Sequence, residues 1–389
     1  MFRVQVYNNI AAAGLACFKD GEFEVGTQFD DPDAILLRSH KLHGMAVPAN
    51  LLAIGRAGAG VNNIPVDELT PRGVVVFNTP GGNANAVKEL VAAALLLGSR
   101  VILGGSNYVQ SLNDITDPEE LARRLEKEKK RFAGSEIAGK TLGVVGLGAI
   151  GSMVANLALE LGMKVAGFDP AISVEAAWRL SSQVQKVDNL EALLRKSHFV
   201  TLHVPANEHT RHMINPESMA HFRKGARLLN FAREQVVDIK AVVEALDSGR
   251  LASYITDFPV PELLGRKDTV LLPHIGASTR EAEENCAVMA AAQLIEFLRN
   301  GNIENSVNFP RTRMSRNGGF RITFSNRNVP AVLGGVLGVL AERKINVLDM
   351  VNKSQGDVAY NIVDVESRPS DNVLAEIAAA EGVIRVRQV

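Results

Sequence analysis

Three residues in the middle of the chain are of the types that acid–base chemistry on a small hydroxy acid requires. Arg233 follows the apolar run RLLNFA, Glu262 follows DFPVP, and His274 follows VLLP. A guanidinium binds a carboxylate bidentately. A histidine near its ordinary pKa takes the proton of a hydroxyl while a hydride leaves the same carbon. A glutamate beside it favours the imidazolium that results. Each run reads as a strand, and ligands of open α/β sheets lie outside the carboxyl ends of strands, so the spacing predicts that the three meet.

A second motif supplies the hydride's partner. Gly146-Leu-Gly-Ala-Ile-Gly151 is a G-x-G-x-x-G between the strand TLGVV and the helical run Ile150–Leu161. The glycines allow a tight turn and close approach of backbone to a pyrophosphate. Ala149 and Ile150 begin a helix whose N-terminus faces the phosphates. Asp169 ends the next strand, where a carboxylate accepts from a ribose 2′-hydroxyl and repels a 2′-phosphate, so NAD is preferred over NADP. A second glycine-rich run, Gly55-Arg-Ala-Gly-Ala-Gly60, lacks the third glycine at the right spacing. It reads as a loop whose backbone, through Ala57, Gly58 and Ala59, holds a carboxylate or phosphate.

The elements that position these residues alternate. Strands are predicted at Arg3–Tyr7, Ala34–Leu37, Leu51–Ile54 and Val74–Phe77, then at Thr141–Val145, Lys164–Phe168, Phe199–Val204, Arg227–Asn230, Tyr254–Thr256 and Val270–Leu272. Helical patterns separate most of them, as in parallel sheets of βαβ units. Ala84–Gly104 reads as one long helix, apolar on most sides, Asp117–Arg131 as a charged helix, and Glu281–Asn300 as a helix stopped by Gly301. Asn308–Gly319 reads as a linker, and Phe320–Val389 as β-α-β-β-α-β, the ferredoxin-like order.

Composition narrows the function classes. The 389 residues carry 42 Lys and Arg against 43 Asp and Glu, a net charge of −1, which gives no electrostatic reason to expect nucleic acid or an anionic membrane as partner. Two cysteines cannot form a disulfide framework or a Cys-based zinc site, so no metal is expected and a cytoplasmic location fits. No apolar run is long enough for a membrane span, and the N-terminus, MFRVQVYNN, reads as a first strand rather than a signal.

The run Pro273–Asn285 resembles the signature around the catalytic histidine of NAD-dependent D-2-hydroxyacid dehydrogenases. Leu229–Arg233 with Val236–Asp238, Leu202–Pro205 and the fingerprint itself resemble that family too. Ala57–Asn63, Asn78–Gly82 and Asn305–Pro310 are similar to its D-3-phosphoglycerate dehydrogenase branch, and the C-terminal unit to the ACT-type regulatory domain of such enzymes. The resemblance implies an α/β chain of two Rossmann-like doubly wound domains plus a ferredoxin-like tail. Residues 1–98 and 276–307 would bind substrate, 99–275 NAD, with 308–319 a linker and 320–389 regulatory.

The same resemblance implies Arg233 as carboxylate binder, Glu262 as partner of His274 and His274 as acid/base. Pro205 and Asp257 would lie along the cofactor, and Arg38, Arg56 and Lys129 would meet a substrate phosphate, with His40 and Lys41 nearby. Asn326, Asn328 and Asn346 match effector positions, for L-serine or another amino acid, and the long helix implies a homodimer or homotetramer. Four positions depart from the pattern. Glu234 stands where Gly is usual after the arginine, Asp257–Glu262 is shuffled with its spacing kept, Lys88 replaces a small residue, and Ala331 stands for a glycine. The rival readings are a glyoxylate or hydroxypyruvate reductase of the same family and, from another class, an NAD(H)-sensing interaction protein.

Overall fold

The computed structural model describes residues 1–19 and 21–389, with Glu175 described by its backbone alone. It divides into two compact units, 1–83 with 279–389, and 84–278.

The first unit begins with five short strands, β1 (Phe2–Val6), β2 (Phe23–Gly26), β3 (Ala34–Leu37), β4 (Ala53–Arg56) and β5 (Val75–Phe77). They form a parallel sheet in the order β2-β1-β3-β4-β5. A strand covered on both faces reads as a continuous apolar run, and β3, AILL, is buried at all four positions. The sheet order reverses between β1 and β3, so a binding crevice is expected at their carboxyl ends.

The second unit holds β6 (Thr141–Val145), β7 (Lys164–Phe168), β8 (Gln185–Lys186), β9 (Phe199–Leu202), β10 (Ala226–Asn230), β11 (Leu251–Thr256) and β12 (Thr269–Leu271). Their order, β12-β11-β10-β9-β6-β7-β8, is that of a doubly wound dinucleotide-binding sheet extended by one strand, with its reversal between β6 and β9.

Two sequence expectations change here. The helix expected over 84–104 ends at Ser99, and a second begins at Ile102. The Ser99 carbonyl accepts from Ser135 N at 2.9 Å instead of continuing the helical ladder. The expected boundary after residue 98 moves to 83. Val87, Val91, Ala94 and Leu95 pack with Leu142, Val144 and Val154 of the second unit, so this helix belongs to its core. The boundary near 276 moves to 278.

The tail forms β13 (Phe320–Arg327), β14 (Val347–Gln355), β15 (Val358–Val365) and β16 (Val383–Gln388), an antiparallel sheet in the order β14-β15-β13-β16. Helices Val332–Glu342 and Asp371–Ala379 cover one face, over Ile322, Phe324, Val363 and Val365. The other face packs into the first unit's core, where Tyr360 and Ile362 join Phe77, Phe297 and Phe309.

The segment expected as a linker is therefore stitched down. The Asn308 side chain accepts from Val76 N at 2.9 Å and donates to Val74 O at 2.9 Å. Arg321 is fully buried and uses every guanidinium donor. It grips Asp364 at 2.7 and 2.8 Å and donates to the carbonyls of Asn300, Met314 and Ser315. Arg387 donates to the carbonyls of Phe297 and Leu298. With Arg316, which donates to Arg299 O at 3.0 Å, the two arginines satisfy the carbonyls that helix Arg280–Asn300 leaves open in its last turn.

Candidate active site

In the second unit the glycine-rich turn fits a dinucleotide. Gly146 has φ +86°, and a Cβ there would lie 2.6 Å from His203 O. A Cβ on Gly151 would strike Gly146 O, whereas beside Gly148 the space is open. Helix Ala149–Glu160 starts directly after Gly148. Asp169 braces this turn, accepting from Leu147 N at 2.8 Å and from Ala171 N at 2.9 Å. A carboxylate oxygen has a second lone pair, so these bonds leave Asp169 able to accept from a ribose. Beneath the turn, His203 is half-buried with its Nδ1 shielded, and desolvation pushes its imidazole down to about 3; it stays neutral, with Nε2 2.9 Å from Thr201 Oγ1.

The three acid–base residues expected to meet follow the ends of the neighbouring strands β10, β11 and β12. Arg233 lies three residues beyond β10 on a turn built by the buried Asn230, which accepts from Ala232 N at 3.1 Å and donates to Arg233 O at 2.9 Å. The Arg233 guanidinium donates to Ala232 O at 2.6 Å, and burial lowers its pKa. Glu234 is exposed and makes no ion pair with Arg233.

His274 follows β12 with φ +56°, and its ring meets Phe258 edge-on at 5.0 Å. Asp257, expected beside the nicotinamide, is hydrogen-bonded within this unit. Its buried carboxylate accepts from Ile275 N and Gly276 N, both at 2.7 Å, and so clamps the loop that carries His274. Glu262 lies exposed in the turn Pro261–Leu263, without a hydrogen bond to His274. Pro205 accepts from Thr210 Oγ1 on the loop after β9.

In the first unit the loop after β4, expected to hold an anion, leaves different backbone donors open from those expected. Ala57 N donates to Leu37 O at 2.8 Å and Gly58 N to Arg56 O at 2.9 Å. Ala59 N and Gly60 N have no partner among the described residues. Arg56 lies over Gly58, which has φ +147° and no room for a Cβ, and its Nε donates to Arg38 O at 3.1 Å.

At the β1/β3 reversal, Asn8 accepts from Ser39 N and His40 N at 3.0 and 2.7 Å, and His40 stacks on Tyr7 at 4.2 Å. Asn63 donates to the carbonyls of Arg38 and His40. Side-chain amides thus fix the backbone of Arg38 to His40, and Arg56 is tied to the same corner through the Arg38 carbonyl. Arg38 also pairs with Glu283 at 2.7 Å, both half exposed, so any anion there competes with a carboxylate.

The charged helix expected over 117–131 spans Pro118–Glu128, and Lys129, exposed in the 3-10 turn that follows, pairs with Glu126 of that helix. Asn326 is buried and engaged, donating to Arg327 O and accepting from Asn361 Nδ2 at 2.7 Å. Asn328 donates to Gly356 O at 3.1 Å, and Asn346 is exposed. Among the described residues no group of His, Cys, Asp or Glu could hold a metal ion.

Residues 108–276 match the family described as D-isomer specific 2-hydroxyacid dehydrogenase, NAD binding domain. D-3-phosphoglycerate dehydrogenase of Escherichia coli K12 is 33% identical over 350 residues, 87% of this chain and 81% of that protein. The chain belongs to the D-isomer specific 2-hydroxyacid dehydrogenases. As a member of that family it is an NAD-dependent oxidoreductase. The D-3-phosphoglycerate dehydrogenase of Methanocaldococcus jannaschii is 32% identical over 370 residues, and this chain spans 66% of its length. The NAD+-bound 3-phosphoglycerate dehydrogenase of Entamoeba histolytica has the same fold over 79% of this chain and 98% of its own, with a TM-score of 0.61 and 25% identity.

Sequence reasoning missed the amides Asn8, Asn63, Asn78 and Asn230, which set the loops of this dehydrogenase. Three of them end or follow a strand, where a short polar side chain captures neighbouring backbone.

Proposed function

We propose that this dehydrogenase oxidises D-3-phosphoglycerate to 3-phosphohydroxypyruvate with NAD, the first step of L-serine biosynthesis. The observation that carries the phosphorylated substrate is the corner of Arg38, Arg56 and His40 beside the Ala59–Gly60 donors. Cations beside a carboxylate site suit a substrate with two anionic groups. The names of the relatives agree.

In this reading the backbone donors of loop 57–60 and the Arg233 guanidinium are carboxylate ligands. His274 takes the C2 hydroxyl proton as the C2 hydride departs, and the C2–O bond becomes a carbonyl. Asp257 holds the His274 loop in place. Glu262 is the residue that stabilises the imidazolium. Bound NAD, held by Gly146–Gly151, Asp169 and Pro205, supplies the two-electron acceptor. His274→Ala is expected to remove most turnover and leave NADH binding intact. Trp178 is the one tryptophan of the chain, so energy transfer from it to NADH measures that binding. Loss of NADH binding in a folded variant contradicts the assignment.

The Arg38–Glu283 pair favours a second reading, a glyoxylate or hydroxypyruvate reductase, because the Arg38 charge is already met by a carboxylate. Comparison of phosphorylated and unphosphorylated keto acids decides between them.

Residues 320–389 are proposed as an ACT-type regulatory domain on the strength of their strand order. L-serine is the effector to test, at Asn328 and Asn346, since the Asn326 amide is engaged within the sheet. The exposed Leu96, Val101, Ile102 and Leu103 support homo-oligomers, because a second copy would cover them. A cytoplasmic location suits this metabolism.

A further inference from the structure

Helix Arg280–Asn300 buries Cys286, Ala287, Ala290, Ala291, Leu294, Phe297 and Leu298, and among them Gln293. An amide in such surroundings is unfavourable unless it is hydrogen-bonded. Gln293 makes one bond, from Nε2 to the carbonyl of Asn78 at 3.0 Å, and its Oε1 is buried without a partner. The same Asn78 is fixed twice more. Its N donates to Asn305 O at 3.3 Å, and its Nδ2 donates to Ala59 O at 2.6 Å. Its neighbour Thr79 donates through its N to Gly58 O at 3.1 Å.

The consequence follows from peptide geometry. The Gly58 carbonyl shares a peptide plane with the Ala59 N–H, and the Ala59 carbonyl shares one with the Gly60 N–H. Both peptides are trans, so carbonyl and N–H point in opposite directions. Drawing both carbonyls toward Asn78 and Thr79 turns both unpartnered N–H groups the other way. The two donors of the anion loop are therefore aimed from behind by a relay that starts at Gln293.

We infer that Gln293, acting through Asn78, is a positioning residue for substrate carboxylate at loop 57–60. The inference rests on the reading of that loop as the carboxylate site. It concerns the carboxylate alone, so it holds for any 2-keto acid and does not depend on the phosphate corner.

The test is steady-state reduction of glyoxylate and 3-phosphohydroxypyruvate by the full chain, with hydroxyacetone as a carbonyl lacking a carboxylate. Gln293→Leu keeps the volume and removes the donor. Its KM is expected to rise roughly tenfold for both keto acids, the scale of one hydrogen bond, with kcat changed less and NADH affinity unchanged. Asn78→Asp removes the donor to Ala59 O at the loop itself. It should raise KM at least as much, and it serves if Gln293→Leu does not fold. Because both act through one residue, the double variant should be no worse than Asn78→Asp. Unchanged KM in a folded variant, with or without lower thermal stability, overturns the positioning role and leaves the family reading intact. Wild-type enzyme that reduces hydroxyacetone as well as the keto acids removes the carboxylate site, and the inference falls with it.

Discussion

Asp257→Asn is the substitution whose effect the geometry fixes most tightly. The carboxylate binds two successive N–H groups, those of Ile275 and Gly276, at 2.7 Å each, from a buried position. The preceding residue, His274, has φ +56°. For an L-residue that conformation is unfavourable by about 1–2 kcal/mol, so the clamp also holds His274, the proposed acid–base residue, where it would not rest unaided. An asparagine keeps one acceptor and turns an NH2 toward the other N–H. One hydrogen bond to a charged group is lost, about 1.5–3 kcal/mol. If the full amount appears in the positioning of His274, kcat falls roughly 10- to 150-fold. NADH affinity, read from energy transfer, reports separately on the cofactor position expected of the same carboxylate. Gly276→Ala tests the same contact from the other side, since its Cβ would lie 3.0 Å from Asp257 Oδ2. A folded Asp257→Asn enzyme with wild-type kcat would refute the clamp.

Three further outcomes are expected. Ala331 precedes helix Val332–Glu342 with φ +74°, so Ala331→Gly should stabilise the chain by about 0.5–1 kcal/mol in chemical denaturation. Asp364→Asn breaks the fully buried pair with Arg321 and should destabilise by about 3–5 kcal/mol, seen as a lower Tm. His203 is depressed from 6.5 to about 3, so between those values the unfolded chain binds a proton that the folded chain does not. Its contribution to stability is complete above pH 6.5 and falls as pH drops toward 3, by up to about 1.4 kcal/mol per pH unit. His203→Gln should flatten that slope in denaturation measured at several pH values.

Much of the doubly wound architecture is legible because parallel strands covered on both faces announce themselves as apolar runs. AILL, TLGVV and FVTL all lie where composition alone puts them. The edge strands β2 and β8 escape because FEVG and QK are short and mostly exposed. The end of the helix at Ser99 is set by a bond to Ser135, thirty-six residues away, which no local pattern carries. The docking of the tail is hidden for a similar reason. Arg321 and Arg387 look like surface residues until the carbonyls they cap are known.

Within the candidate site, residue types single out His274, Arg233 and the glycine turn, because their chemistry is uncommon in strand ends. The parts that aim them, Asn78, Asn230 and the second role of Asp257, depend on which backbone groups tertiary structure leaves unpaired.

NADH oxidation with 3-phosphohydroxypyruvate, hydroxypyruvate and glyoxylate in parallel tests the central claim most directly, with Arg56→Ala as control. The account predicts a strong preference in kcat/KM for the phosphorylated keto acid, and loss of that preference in the variant. Equal or better use of glyoxylate by the wild-type enzyme would contradict it and make the corner of Arg38, Arg56 and His40 structural.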